Sequence, residues 1–274
     1  MRENAELASF SRNSAMEKSA GRDMVAVTSD ERTAYLAGVK VSTHTKRELL
    51  EAISAFVAGD RQALVFSGNL HSLNLAHKIP WLKDALNAAD VVRNDSAGVK
   101  LAGRLVGKRI PERNTWADFG WALAEWCAEK GHSLYLLGNK PGVPEAARER
   151  LSEKYPELKI VGVRHGYFEK RGEENDRVVA AINQAAPDIL VVGFGMPLQE
   201  RWILDNRERL DVKVIMTCGN CFSFLAGTER RAPKWMRSSG LEWLFRLLKE
   251  PRRLFKRYVI GIPAFYFRLF FRRG

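Results

Sequence analysis

Asp95 stands where the apolar run Ala89-Asp90-Val91-Val92 gives way to Arg93-Asn94, and a Ser96-Ala97-Gly98 turn follows it. A carboxylate there suits two jobs. It can cap the next helix by accepting backbone N–H bonds, or it can face a cleft and take a proton from a substrate hydroxyl. Gly193-Phe194-Gly195-Met196-Pro197-Leu198 puts two close glycines before a helix. Such a turn can admit a phosphate beside backbone N–H groups, and it reads equally well as a plain structural turn. It lacks the third glycine of a dinucleotide fingerprint, and no G-x-x-x-x-G-K-[ST] run occurs, so neither a nicotinamide cofactor nor a P-loop is expected. Cys218 and Cys221 form a lone C-x-x-C pair. Zinc needs about four ligands, and Cys127 and the five histidines have no matching spacing. No metal and no cofactor are therefore expected. His71, His77, His132 and His165 fit surface or internally satisfied positions.

The elements that position these residues alternate between short apolar runs and longer helical ones. Thr45-Lys46-Arg47-Glu48 has the form of a capping box and opens a helix through Phe56. Strands are expected at 63–66, 89–92, 134–138, 159–163, 188–193 and 212–217, with helices at 115–130, 143–154 and 173–186. Gly131 supplies the left-handed stop for the helix before it. Near-continuous apolar strands separated by helices imply an α/β fold, a mostly parallel sheet covered by helices on both faces. In such sheets ligands sit beyond the carboxyl ends of the strands. Ser67/Asn69, Asn94/Asp95, Gly138/Asn139, Gly193 to Gln199 and Thr217 to Asn220 all fall at those ends, so topology predicts that they line one edge.

Charge divides the chain. Of the 44 basic and 32 acidic residues, 13 basic and 3 acidic lie between Thr228 and Gly274, which leaves the rest almost neutral. Three regions are expected: a loosely ordered extension over 1–32, an α/β domain over 33–227, and a basic amphipathic helical appendage over 228–274. In the appendage Leu241, Leu244, Phe245 and Leu248 recur at helical spacing. After Pro251, Leu254, Phe255, Tyr258 and Val259 fall opposite Arg252, Arg253, Lys256 and Arg257. Basic helices rich in aromatic residues suit anionic bilayer surfaces. Nucleic acid attracts the same charge, but its readers interleave aromatics in a groove or sheet, so an anionic membrane surface is the expected partner and nucleic acid is not. No window reaches the ~18 apolar residues of a spanning helix, no secretory leader is evident, and three cysteines cannot make a disulfide framework. These features point to a cytoplasmic protein whose membrane contact is peripheral.

Taken together, Gly195-Met196-Pro197-Leu198-Gln199-Glu200-Arg201-Trp202, Phe224-Leu225-Ala226-Gly227, Arg231-Ala232-Pro233, and the tail runs Gly240-Leu241-Glu242-Trp243 and Glu250-Pro251-Arg252-Arg253 resemble the bacterial WecG/TagA/CpsF glycosyltransferases, glycosyltransferase family 26. Asp95 with Gly98, Glu112-Arg113, Leu136-Leu137-Gly138 and Arg257-Tyr258 extend the resemblance from about Ala37 to Tyr258.

The resemblance implies an inverting, metal-independent transfer from a UDP-sugar donor to a saccharide carried on undecaprenyl diphosphate, a polyprenyl-diphosphate-linked acceptor. The sugar would be N-acetylmannosamine, glucose or a relative. It places Asp95 as the base. Arg113 and the tail cations Arg246, Arg252, Arg253 and Arg257 would steady the donor or lipid diphosphate, and Gln199 would lie near the sugar nucleotide. Ser67 and Asn69 fall on a Thr-x-Asn motif and Tyr167 on a cleft aromatic. Two departures stand out: Ser223 replaces the usual Asp, and Thr217-Cys218-Gly219 replaces Gly-Val-Gly. The alternative reading is a non-catalytic membrane-surface assembly subunit that keeps the fold.

Overall fold

The structure, a computed structural model, describes residues 32–271. The extension expected over 1–32 lies outside the described residues except for Arg32, as do the last three residues of the tail. A short pair, β1 (Thr33–Leu36) and β2 (Val39–Ser42), precedes α1 (Lys46–Ala58). Thr45 caps α1 through the reciprocal bonds expected of its capping box: its side chain accepts from the Glu48 N–H, and the Glu48 carboxylate accepts from the Thr45 N–H.

Then come β3 (Ala63–Gly68), α2 (Leu70–Lys78), α3 (Pro80–Ala88), β4 (Val91–Asn94) and α4 (Ala97–Leu105). They are followed by α5 (Trp116–Lys130), β5 (Ser133–Gly138), α6 (Val143–Lys154), β6 (Lys159–Arg164), α7 (Gly172–Ala185), β7 (Ile189–Gly193), α8 (Leu198–Asn206) and β8 (Val214–Thr217). A short α9 (Cys221–Leu225) follows β8, and the tail holds α10 (Lys234–Ser238), α11 (Glu242–Lys249), α12 (Pro251–Phe255), a π-helical turn (Lys256–Ile260) and α13 (Gly261–Phe271). Expected and observed strand bounds differ by at most two residues: β3 runs on to Gly68, β4 is shifted by two, and Asp188 and Val212 precede β7 and β8.

Strands β3 to β8 form one parallel sheet in the order β4-β3-β8-β7-β5-β6. Alternate residues point to opposite faces, and the core follows that rule. Leu64, Phe66, Leu137, Leu190, Val192 and Ile215 join one buried cluster with α2, α3, α4, α7 and α8. Val65, Leu134, Leu136, Ile189, Val191, Val214 and Met216 join another with α1, α5, α6 and α9. Both faces are therefore covered, as the continuous apolar strands require. Phe265 and Leu269 of α13 are buried in the first cluster beside Leu70 and Leu73 of α2. The end of the tail thus shares the core of the sheet.

The strand ends approach closely at β5, β7 and β8. A Cβ on Gly138, whose φ is +147°, would lie 2.4 Å from the Gly193 carbonyl oxygen. The carboxyl edge is tight at its centre because glycine allows it.

Candidate active site

Asp95 follows β4 directly, its N–H bonded to the Gly68 carbonyl at the end of β3. It does not cap α4. Ser96 does, its hydroxyl accepting from the Val99 N–H. The Asp95 side chain keeps 22% exposure, accepts from the Trp116 N–H at 3.3 Å, and lies 3.7 Å from Arg93 Nη1. Burial pushes its carboxyl above the usual range, while Arg93, the Trp116 N–H and the charges of Arg246 and Arg257 pull it back. Ser96 thus fills the cap expected of Asp95, and Asp95 instead accepts the first N–H of α5 while part of its side chain stays exposed.

Two guanidiniums of the tail act on this carboxylate through their charge. Arg246, on α11, lies over the Phe224 ring, and Arg257, in the π turn, lies over Tyr258. Burial lowers Arg257, and burial, helped by the Arg257 charge, brings His71 down to about 4. His71 is therefore neutral near pH 7. Arg113 is 3.4 Å from Glu242 of α11, which also lies 3.8 Å from Arg231. Arg231 in turn pairs with Asp118 of α5, so an ion network ties the start of the tail to the sheet domain. Arg253 is held by Glu250 at 2.5 and 2.7 Å and is exposed, as is Arg252. The tail cations therefore divide: the charges of Arg246 and Arg257 act on Asp95, whereas Arg252 and Arg253 are exposed. A five-residue π turn widens the helix and breaks the simple two-faced register expected after Pro251. Leu254 is buried, Phe255 and Val259 are exposed, and Arg257 is half-buried.

The remaining expected residues lie at the same edge with different immediate partners. Ser67 is 2% exposed; its hydroxyl donates to the Thr217 carbonyl and accepts from Arg93 Nη2 and Trp116 Nε1. Asn69 caps α2 through the His71 and Ser72 N–H groups. Gln199 is fully buried, and its Oε1 accepts from the Gly195 and Gly219 N–H groups at 3.2 and 3.0 Å. It braces the two loops that follow β7 and β8. Tyr167 is 64% exposed beyond β6, five strand spacings from β4 and so on the order of 20 Å from Asp95 along the edge. Ser223 joins a polar cluster: Asn139 Nδ2 donates to Ser223 Oγ and Asn220 Oδ1, and Asn220 Nδ2 donates to Glu229. The three cysteines are free and buried, and among the described residues no group of three or more His, Cys, Asp or Glu is placed to hold a metal ion.

The family profile described as "Glycosyl transferase WecG/TagA/CpsF family" matches residues 34–274. The chain belongs to this glycosyltransferase family. Among its relatives is an N-acetylglucosaminyldiphosphoundecaprenol N-acetyl-beta-D-mannosaminyltransferase of Staphylococcus aureus strain MRSA252. It is 28% identical over 240 residues, 85% of this chain and 91% of the relative. The protein of the same name from strain MW2 is 27% identical over the same shares. Among solved structures, a nicotinate phosphoribosyltransferase from Vibrio cholerae aligns over 72% of this chain and 49% of its own at 15% identity. Its TM-score of 0.21 carries no argument.

In this glycosyltransferase the buried partners of Asp95 are the part the motifs do not announce. Arg93 was visible only as a polar residue after an apolar strand, and Trp116 only as a core aromatic. The signal was the period of two: residues 93 and 95 fall on the same side of an extended chain, so an arginine there accompanies the carboxylate.

Proposed function

We propose that this family member transfers a sugar, with inversion, from a UDP-sugar to a saccharide on a polyprenyl diphosphate at a membrane surface. The observation that carries the reading is Asp95: a carboxylate at the strand-end edge, partly exposed, 3.7 Å from Arg93 and within the electrostatic reach of two tail guanidiniums. Its oxygen would take the proton of the acceptor hydroxyl while that oxygen attacks the anomeric carbon. The bond from that carbon to the UDP oxygen breaks on the opposite face, and the electron pair leaves with the diphosphate. Arg113, Arg246 and Arg257 are suited to the charge that develops there, since fixed cations and dipoles stabilise a departing oxyanion without reorganising. With cations in that role the transfer would not depend on a metal. The relatives' names include N-acetylmannosaminyl transfer to an N-acetylglucosaminyl diphosphoundecaprenol, which makes that donor sugar and acceptor the first to try.

Exposed Phe255, Val259, Ile260, Phe267, Phe270 and Phe271, with the exposed basic residues Arg252 and Lys256, support docking of the tail on an anionic bilayer. No helix of the described residues is long and apolar enough to cross one. The surface contact we propose is at the inner face of the cell membrane.

Supplying UDP-sugars with a polyprenyl-diphosphate-linked saccharide should release UDP and yield a product of inverted anomeric configuration by NMR. Asp95→Asn should keep donor binding and lower turnover by about 10²–10⁴-fold. Since the base must be ionised, wild-type turnover should fall with acid below a pKa above the ordinary carboxylate range. Undiminished turnover in Asp95→Asn would remove Asp95 as the base. Donor binding without transfer, across a broad acceptor panel, would favour an assembly subunit, the reading to which the replacement of the usual Asp by Ser223 lends weight.

A further inference from the structure

We propose that Arg93 is the positioning residue of Asp95, a guanidinium fixed in the sheet that holds the carboxylate in place and supplies its permanent counter-charge. The inference rests on the reading of Asp95 as the base of the transfer.

Arg93 is 1% exposed, although it sits in a strand of only four residues. Its Nη2 donates to Ser67 Oγ at 2.7 Å. That hydroxyl is itself fixed, donating to the Thr217 carbonyl at 2.8 Å and accepting from Trp116 Nε1 at 3.2 Å. The guanidinium carbon lies 4.9 Å from the Trp116 ring centre and 5.1 Å from that of Phe119, so two aromatic rings flank the cation. Strand, hydroxyl and rings together leave it little freedom to move.

The arrangement is costly unless the charge is used. Nε and Nη1 have no hydrogen-bond partner, and a buried cation bonded only to a neutral hydroxyl is poorly compensated. Its ion-pair partner is Asp95, with Nη1 3.7 Å from Oδ1, which is ion-pair range and longer than a hydrogen bond. The thiols of Cys218 and Cys221 are also close, but burial pushes Cys221 well up, so that thiol stays neutral and cannot replace the carboxylate. The Trp116 N–H donates to the same Oδ1 at 3.3 Å. Oδ1 is thus occupied twice, leaving Oδ2 as the oxygen available to an acceptor hydroxyl.

The groups facing Asp95 fall into two sets. Arg93 on β4, the Trp116 N–H on α5 and the nearby thiol of Cys221 belong to the sheet domain, whereas Arg246 on α11 and Arg257 in the π turn belong to the tail. Arg93 therefore keeps the carboxylate ionised and aimed whatever the tail is doing, and the tail cations remain free to answer to substrate.

The test follows the Asp95 carboxyl itself in the full-length protein, by ¹³C-NMR titration, with its resonance assigned by loss in Asp95→Asn. Arg93→Met keeps the apolar stem and removes the charge. It should raise the Asp95 pKa by about 1–3 units, the usual effect of losing an opposite charge at this range. The acid limb of the kcat–pH profile should move up with it, while Arg93→Lys stays near wild type. A folded Arg93→Met with the carboxyl unmoved within about 0.3 units overturns the inference. If Arg93→Met does not fold, Arg93→Lys decides. A carboxyl within about half a unit of wild type supports the fixed-charge role, and a rise of more than about one unit overturns it. A chain that shows the carboxyl shift but transfers no sugar from any donor would leave the Arg93–Asp95 coupling standing and remove the reaction.

Discussion

Two buried carboxylates bracket what single residues contribute here. Asp95 keeps part of its surface and several cationic neighbours. Glu200, next to the loop brace Gln199, is 1% exposed, takes a bond from Gln199 Nε2 at 2.8 Å, and leaves Oε2 without a partner. Burial raises it from its ordinary 4.5 to about 7. The folded carboxyl holds its proton to about pH 7, whereas the unfolded one loses it near 4.5. Folding takes up a proton between those values, and stability is lost as pH rises across that window, on the order of 3 kcal/mol in all. Glu200→Gln keeps the acceptor for Gln199 and removes the titration. Thermal melts from pH 5 to pH 8 should show wild type losing this increment while the variant does not. Parallel pH dependence in both would mean that Glu200 does not titrate there. The motif run exposed Gln199 and Glu200 in the sequence but not their burial. Motif position reports which residues matter, whereas the direction a side chain takes depends on the loops after β7 and β8 meeting at Gln199 Oε1.

At the scale of elements, the alternation of strands and helices was legible because apolar period and length carry it: α6 spans the 143–154 expected, and α5 begins one residue after the expected start. The β1–β2 pair was not drawn from the sequence as separate strands, since four-residue runs carry little pattern. The π turn at Lys256–Ile260 was equally hidden. A helical wheel assumes 3.6 residues per turn, and the wider turn is what lets Arg257 face inward while Phe255 and Val259 face out. The conformational demand on glycine separates the last residue of β5 from a glycine in the loop that follows it. Gly138 would place a Cβ 2.4 Å from the Gly193 carbonyl, against backbone in the sheet that cannot yield, whereas Gly142, also at positive φ, has open space around it. Gly138→Ala should cost about 3 kcal/mol or more by overpacking, and Gly142→Ala about 1 kcal/mol, from backbone conformation alone. Chemical denaturation of the two variants checks the ordering. Equal losses would show that the β5–β7 ends relax to admit a methyl group.

At the scale of the molecule, the charge asymmetry seen in the sequence and the packing seen in the structure place a constraint on how the tail can act. Its 13 basic residues against 3 acidic ones mark it as the cationic part of the chain, yet it is not a detachable handle. Phe265 and Leu269 are buried in the core with α2, the Asn74 side chain donates to the Gly261 carbonyl, and the Tyr266 hydroxyl donates to the Gly98 carbonyl. Removing everything after Pro251 would open that core, so a loss of membrane binding in a truncated chain would not separate docking from unfolding. Surface substitutions do. Phe255, Phe267 and Phe271 are 51%, 62% and 73% exposed, so a change to serine leaves the core side chains in place. An exposed phenylalanine that enters the interface contributes up to about 1.5–3 kcal/mol, and each nearby basic residue about 1 kcal/mol on an anionic surface. Phe255→Ser/Phe267→Ser/Phe271→Ser should therefore keep the wild-type melting temperature to within a few degrees. Its partition onto vesicles containing anionic lipid should fall by at least about 10²-fold, because each lost ring removes more than a tenfold factor at full insertion. Raising salt should weaken wild-type binding through the screened basic residues, but leave the ratio between wild type and variant nearly constant, since burial of the rings is not screened. Flotation with anionic and with neutral vesicles at two salt concentrations measures both terms. Unchanged flotation by the triple variant would place the bilayer contact elsewhere on the chain, and a ratio that collapses at high salt would assign the tail an electrostatic contact without insertion.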